Sequence, residues 1–402
     1  MKIIIDEKKI NKVLTRGVDE VLVKDSLKKK MMSGKKLRIK FGIDPTGSLL
    51  HLGHAVILRK LKDFQDLGHQ IIFLIGDFTA KIGDPTGRSI DRKPLTDKEV
   101  AINMKSYDKQ AGLILDISRV EIRYNSEWLK NLNLKELIML ASKVTYAQLA
   151  QRADFKERIK NDVDLSLQEF LYPMIQGYDS VILKADMEIG GTDQKFNLLM
   201  GRQLQKRYKQ EPQDIITCPL LEGLSGNEKM GKSLNNYISL TEKSEDIYGK
   251  IMSLADNLII KYFTLCANLP LAEIQTIEQE LTDDACNPRD IKMRLAFEIT
   301  KIYYGERKAH EAQEYFVKTV QKKEAPDEII NYELSITSWK ITDLLFEIKL
   351  SDSKGEARRL VEQGGVRVDG AVVKDINQII EITETGRLLQ RGKRGFVKVI
   401  LK

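Results

Sequence analysis

Four short stretches of this chain carry side chains suited to phosphate and carboxylate chemistry. The first, FGIDPTGSLLHLGHAVIL, puts a loop with Pro45 and Gly47 after an apolar run, then His51, Gly53 and His54 where a helical pattern begins. The free N–H groups and dipole of a helix start favour a phosphate, a glycine admits a flat ring, and imidazoles three residues apart share one face of the first turn. Two of the chain's four histidines fall in this turn, so they are candidate donors to a phosphate whose charge grows during reaction. A metal site would need a third ligand, and none is suggested nearby, so no protein metal site is expected. The second stretch is GNEKMGKS, residues 226 to 233. From Gly226 to Lys232 and Ser233 it fits the G-x-x-x-x-G-K-[ST] pattern of a phosphate-cradling loop; read as KMGKS, it is a short segment that carries two lysines, Lys229 and Lys232. Context opposes the first reading, because Ser233 should open a helix and is instead followed by LNNYISLTE, with two asparagines and β-branched residues.

The third stretch is LYPMIQGYDS, where Tyr172, Gln176 and Asp179 fall at i, i+4 and i+7 on one helix face and can converge on one small ligand. On spacing alone they also fit the core and rim of an ordinary amphipathic helix. The fourth, ADMEIGGTDQKFNLLMGRQLQ, residues 185 to 205, reads as a short strand, a glycine turn and a helix.

These stretches need elements to hold them. KLRIKFGID (36 to 44) and QIIFLIGDF (70 to 78) are apolar runs of strand length, and VILRKLKDFQDLG between them has helical spacing that ends at Gly68. This β-α-β order predicts an α/β fold, a Rossmann-like parallel-sheet catalytic domain over residues 1–242. Within it, residues 97 to 180 read as a helical connective insertion. A mainly helical domain over 243–330 follows, and the charged segment 321 to 338 reads as a linker. In 339–402 two short amphipathic helices, a Gly364-Gly365 turn and alternating strands with a turn at Asp369-Gly370 predict a small α+β domain.

Composition narrows the class. A chain of 402 residues with 42% hydrophobic and 31% charged content is a globular protein of two or three domains, not a disordered one. No apolar run approaches the roughly 20 residues that span a membrane, and the start is too quickly acidic for a secretory signal, so a cytoplasmic location is expected. Cys218, Cys266 and Cys286 show no metal or disulfide spacing. The net charge of +7 allows an anionic partner, and residues 339 to 402 hold 13 Lys+Arg against 9 Asp+Glu, which makes the tail a candidate nucleic-acid surface.

HLGH resembles the HIGH signature, and KMGKS the KMSKS loop, of class I aminoacyl-tRNA synthetases. Along nearly its full length, through FGIDPT, IGDFTAKIGDPTGRS, YNSEW, LYPMIQGYDS, MEIGGTDQ and EKMGKS, the chain resembles the bacterial tyrosyl-tRNA synthetases. Most of 339–402 resembles the S4 RNA-binding domain, on Ser353, Gly355, Glu356, Ala357, Arg358, Arg359 and GGVRVDG. The resemblance implies that L-tyrosine and ATP, entering with Mg2+, give tyrosyl-adenylate and pyrophosphate, after which the tyrosyl group passes to the 3′ end of tRNA(Tyr). It implies His51, His54, Lys229 and Lys232 for catalysis, and Asp44, Thr46, Gly53, Gly191, Asp193, Met230 and Ser233 around ATP. It implies Asp179 at the substrate phenol, Tyr172, Gln176 and Asp84 at its ammonium, and Gln194 at its carboxylate. Arg358, Arg359, Arg367 and Lys374 would contact RNA phosphates, and a homodimer through helices near 125 to 165 is implied as well. Two positions depart from the family. Lys40 stands where much of it has a second tyrosine for the phenol, so that role does not transfer, and Gly231 replaces the usual serine. A tryptophanyl enzyme, a P-loop NTPase and a non-enzymatic S4 protein are the competing readings; an S4 tail is unexpected in the first, and the last needs none of HLGH, KMGKS and GGTDQ.

Overall fold

A computed structural model describes residues 2–86, 95–283, 286–321, 329–392 and 395–402. They form two compact units, Met1–Tyr303 and Tyr304–Lys402.

The first unit is built on a six-stranded sheet of β1 (Glu20–Leu22), β2 (Arg38–Ile43), β3 (Gln70–Ile75), β4 (Val120–Tyr124), β5 (Met187–Gly191) and β6 (Asp214–Cys218), in the order β1-β6-β5-β2-β3-β4. All neighbours are parallel except β1, which lies antiparallel to β6. From β2 the order runs one way through β3 and β4 and the other way through β5 and β6. Such a reversal opens a crevice at the carboxyl ends of β2 and β5, where ligands bind in open α/β sheets.

Three helices aim side chains at that crevice. α1 (Leu52–Asp66) starts from extended His51 and buries Leu52, Ala55, Val56, Leu58, Leu61 and Phe64 as one stripe. It stops before Gly68, whose φ of +95° suits a residue without Cβ. α2 (Leu167–Leu183) is capped by Ser166 and Glu169 in a reciprocal box. Pro173 inside it offers no N–H, so the turn beginning at Glu169 lacks one helical bond. α3 (Lys195–Arg207) packs close on α2 because glycines meet there: a Cβ on Gly177 would lie 3.0 Å from the Gly201 backbone nitrogen.

The expected β-α-β unit and strand-turn-helix are present. The region 97–180 is not purely helical, since β4 lies within it and pairs with β3. GNEKMGKS is no strand-loop-helix: Gly226 takes φ +77° as a turn residue, and Lys232–Leu234 form one 3-10 turn that ends at left-handed Asn235. Cys218 and Cys266 are buried free thiols. Among the described residues no helix is long and apolar enough to cross a membrane.

Helix α4 (Pro288–Phe316) is interrupted by Gly305 at φ 79°, ψ 168°, beside the boundary between the units. The second unit contains β7 (Ile330–Leu334), β8 (Ser338–Lys340), α5 (Ile341–Glu347), α6 (Lys354–Glu362), β9 (Val366–Val368), β10 (Ala371–Val372), β11 (Ile379–Glu381), β12 (Arg387–Arg391) and β13 (Gly395–Leu401). Its five-stranded sheet runs β10-β9-β12-β13-β7, and β11 pairs with β8. Asp369 and Gly370 both have positive φ, 48° and 86°, the conformation of a tight two-residue hairpin between β9 and β10. Residues 330–334, expected as linker, are corrected to a strand, β7, parallel to β13; 322–328 lie outside the described residues. Leu344, Leu345, Ala357, Val361, Val366 and Leu389 are among the residues that fill its core.

Candidate active site

A cavity of about 830 Å³ opens at the carboxyl ends of β2 and β5. Asp44, Thr46, His51, Gly53, His54, Asp84, Tyr172, Gln176, Asp179, Gly191, Asp193, Gln194, Lys229 and Met230 all line it. Residues from five distant stretches thus meet in one place.

At one end stand the two histidines. Their rings lie 3.8 Å apart, and the His51 backbone N–H donates to His54 Nδ1 at 3.2 Å. That acceptor role puts the His54 proton on Nε2. Burial, with Lys232 nearby, pushes His51 down to about 3; burial and the neighbouring His51 and Lys232 push His54 well below the usual imidazole range. Both are neutral at physiological pH and act as single N–H donors. His51 Nδ1 is buried without a hydrogen-bond partner, as a donor or acceptor awaiting a ligand would be. Gly53 serves this pair, since a Cβ there would sit 3.0 Å from the His51 ring.

The KMGKS loop is tied to the same helix start. Leu52 N–H donates to the Ile238 carbonyl and Leu240 N–H to that of Leu50, both at 3.0 Å. Met230 N–H reaches the Leu221 carbonyl at 2.8 Å, and Asn236 binds Gly231 N–H and the Lys229 carbonyl. Lys229 Nζ lies 2.8 Å from Asp193 Oδ2, and Lys232 Nζ donates to the Gly47 carbonyl at 2.8 Å. Ser233 sits in the 3-10 turn that begins at Lys232.

Asp44 marks the middle of the cavity. Its Oδ1 accepts from Thr79 Oγ1 at 2.7 Å and its Oδ2 from the Tyr172 hydroxyl at 2.9 Å. A Cβ at position 76 would fall 2.0 Å from Asp44 Oδ1, so only glycine fits there. Burial pushes Asp44 up to about 7, against the donors Thr79 and Tyr172 and helped by Asp84. Asp84 itself accepts from the Thr86 N–H and hydroxyl and from Gln194 Nε2 at 2.7 Å, so two expected ligand-holding groups touch each other.

Asp179 closes the far end. Its Oδ1 accepts from the Trp128 indole at 2.8 Å and its Oδ2 from Asn125 Nδ2 at 3.3 Å. Burial pushes it up to about 7, opposed first by Lys40. Gln176 Oε1 is buried without a partner. Sequence reasoning assigned no role to Thr79, Asn125, Trp128, Thr86 or Arg152, which set these carboxylates. Arg152 reaches Thr86 Oγ1 at 2.5 Å and stands 3.7 Å from Asp84. YNSEW held a usable signal, because Asn125 and Trp128 are donors three residues apart on one turn. In the second unit Arg358, Arg359, Arg367 and Lys374 are all exposed; Arg358 pairs with Glu362, and Arg367 donates to the Gly370 carbonyl.

Residues 32–321 match the family described as tRNA synthetases class I (W and Y), and residues 340–385 match the S4 domain. The chain belongs to this class I tRNA synthetase family. It is 48% identical over 388 residues to a tyrosine--tRNA ligase of Thermotoga maritima, covering 96% of each chain. It is also 48% identical to the tyrosine--tRNA ligase of Francisella tularensis, over 97% of this chain and 98% of that one. Within the family it therefore stands with the tyrosyl-tRNA synthetases that carry a C-terminal S4 domain. The tyrosyl-tRNA synthetase of Archaeoglobus fulgidus, solved with L-tyrosine, shares the fold at TM-score 0.62 and 23% identity, over 77% of this chain and 100% of that one.

Proposed function

We propose that the cavity activates L-tyrosine with ATP and passes the tyrosyl group to tRNA(Tyr). The observation that carries this reading is Asp179, a buried carboxylate at the end of the cavity away from the histidines, held by two neutral donors. A carboxylate placed there keeps lone pairs free to accept a phenolic hydroxyl, a hydrogen bond that a bare ring forgoes. The partnerless Gln176 Oε1 and the carboxylate of Asp84 suit the substrate ammonium beside Tyr172, and Gln194 its carboxylate.

In the first step the tyrosine carboxylate oxygen attacks the α-phosphorus of ATP, and the bond from that phosphorus to the α,β-bridging oxygen breaks, giving tyrosyl-adenylate and pyrophosphate. In the second a ribose hydroxyl at the tRNA 3′ end attacks the tyrosyl carbonyl, loses its proton and expels AMP. Neither step needs a covalent enzyme group; the protein orients and stabilises charge. The neutral N–H of His51 and of His54 would donate to phosphate oxygens at the α1 start. Lys229 and Lys232 would leave Asp193 and the Gly47 carbonyl for the pyrophosphate, freeing Asp193 to join Gly191 at the ribose. Asp44, Thr46, Met230 and Ser233 complete the nucleotide surroundings. The triphosphate enters as its magnesium complex.

The exposed arginines of the second unit are the proposed RNA phosphate contacts, and residues 1–242, 243–330 and 339–402 the proposed catalytic, helical and S4 parts. Leu134, Ile138, Met139, Tyr146 and Leu167, 55–76% exposed, form the proposed homodimer face, in a cytoplasmic enzyme of translation. Pyrophosphate exchange into ATP, run with each protein amino acid, tests the reading. Tyrosine alone should support exchange; exchange with tryptophan instead, or with none by a folded sample, overturns it.

A further inference from the structure

Lys40 and Glu188 face each other across the point where the sheet reverses. They are register partners on β2 and β5, each 1% exposed, with Nζ 2.8 Å from Glu188 Oε1. The ammonium also donates to Ser180 Oγ at 2.7 Å and to the Gln176 carbonyl at 3.4 Å. Three acceptors occupy its three N–H groups, so Lys40 has none left for a substrate. Glu188 is equally engaged, accepting from Ser180 Oγ at 3.0 Å and from Gln213 Nε2 at 2.5 Å.

Burying two charges is costly, and apolar residues of similar size would join the strands at least as well. The anchors of Lys40 show what the pair does beyond joining them. Gln176 and Ser180 flank Asp179 on α2, three residues before it and one after, so the ammonium is clamped to the helix on both sides of that carboxylate. We propose that Lys40 is a positioning residue for the phenol end of the cavity: it fixes where Asp179 sits, supplies the positive field behind it, and thereby sets the preference for a hydroxylated ring. The inference rests on the reading of the cavity as a tyrosine site.

The surroundings of Asp179 agree. Its charged and titratable neighbours are Lys40 on β2, Glu188 on β5, Asp44 after β2 and Tyr172 on its own helix. Its two direct donors, Trp128 and Asn125, are neutral. Burial raises the Asp179 carboxyl, Glu188 adds to the rise, and Lys40 is the largest opposing influence. Without that ammonium the carboxyl would hold its proton to higher pH and accept a phenol less well at neutrality.

The test compares tyrosine-dependent pyrophosphate exchange, as a function of pH, in the full-length wild type and two variants. The double variant Lys40→Met/Glu188→Met removes both charges and keeps side-chain bulk. At pH 7 its KM for tyrosine should rise roughly fivefold, its KM for ATP should not, and the pH at which tyrosine affinity is half lost should move up by about one unit. Its tyrosine-to-phenylalanine ratio in kcat/KM should fall by a similar factor. Glu188→Gln removes only the negative charge, so that pH should move down instead. A folded double variant with wild-type tyrosine KM and pH profile would overturn the proposal. Should the double variant not fold, an unmoved profile in Glu188→Gln overturns it alone. Failure of the tyrosine reading itself shows separately, as wild-type protein that gives no exchange with tyrosine.

Discussion

The two ends of the cavity are held in different ways. At the Asp179 end the polar groups are fixed by buried partners: Trp128 and Asn125 on the carboxylate, and Glu188, Ser180 and the Gln176 carbonyl on Lys40. At the lysine end Lys229 is exposed, and both lysines rest on protein acceptors that a phosphate would replace. A preformed site spends nothing on reorganisation when its ligand arrives, whereas a loop that trades one partner for another can follow charge as it develops. Changes at the first end should therefore act on tyrosine binding, and changes at the second on the rate of adenylate formation.

The sharpest way to break this contrast is Lys232→Ala. Removing one donor to developing charge costs roughly 10² to 10³ in rate, or about 3–4 kcal/mol. Stopped-flow adenylate formation should slow by that factor while tyrosine affinity, measured by equilibrium dialysis, stays within about twofold. A normal adenylate burst would show that the lysine end does no such work.

Asp179→Asn probes the other end and should show the reverse split. Losing a hydrogen bond to a charged acceptor costs about 1.5–3 kcal/mol, so kcat/KM for tyrosine should fall roughly 10- to 100-fold, mostly through KM. The pH profile carries the same information. With its carboxyl pushed up to about 7, wild-type Asp179 is charged above that pH and protonated below it. The KM for tyrosine should rise as pH falls through 7, about tenfold per unit at most, and the Asp179→Asn variant should flatten the rise. Asp44, also near 7, titrates in the same window, so the slope that survives in Asp179→Asn measures its share. For stability the sign is opposite. A carboxyl raised in the folded state binds more protons than the unfolded chain between about pH 4 and 7, so these two groups cost stability as pH rises through that window.

Much of the site was legible because its parts are local. HLGH at a helix start, Tyr172, Gln176 and Asp179 on one face, and the Asp369-Gly370 turn each follow from spacing within a few residues. What escaped depends on distant pairing. The pattern of VEIRY alternates but carries charges on an edge strand, and Glu20–Leu22 has three residues, so neither announced a strand. Trp128 meets Asp179 across 51 positions of sequence. Lys40 looked only like a missing tyrosine, because its partner Glu188 becomes visible once β2 and β5 are in register.

Gly231→Ser addresses the smallest difference between the two ends, the stiffness of the lysine loop. Glycine at that position ought to loosen the loop, yet Gly231 has φ −160° and ψ 148°, extended backbone open to any residue, and its N–H is held by Asn236 Oδ1 at 2.9 Å. Serine therefore fits the observed backbone and mainly restricts the alternatives, an effect of about 0.4–1 kcal/mol. If the lysines must leave Asp193 and Gly47 to reach the phosphates, a loop biased toward its resting place should form adenylate slightly more slowly, within about threefold, and resist limited proteolysis near residue 231 for longer. Faster adenylate formation in the serine variant would mean that the resting loop already approximates its working position, and the contrast between the two ends would shrink to one of exposure alone.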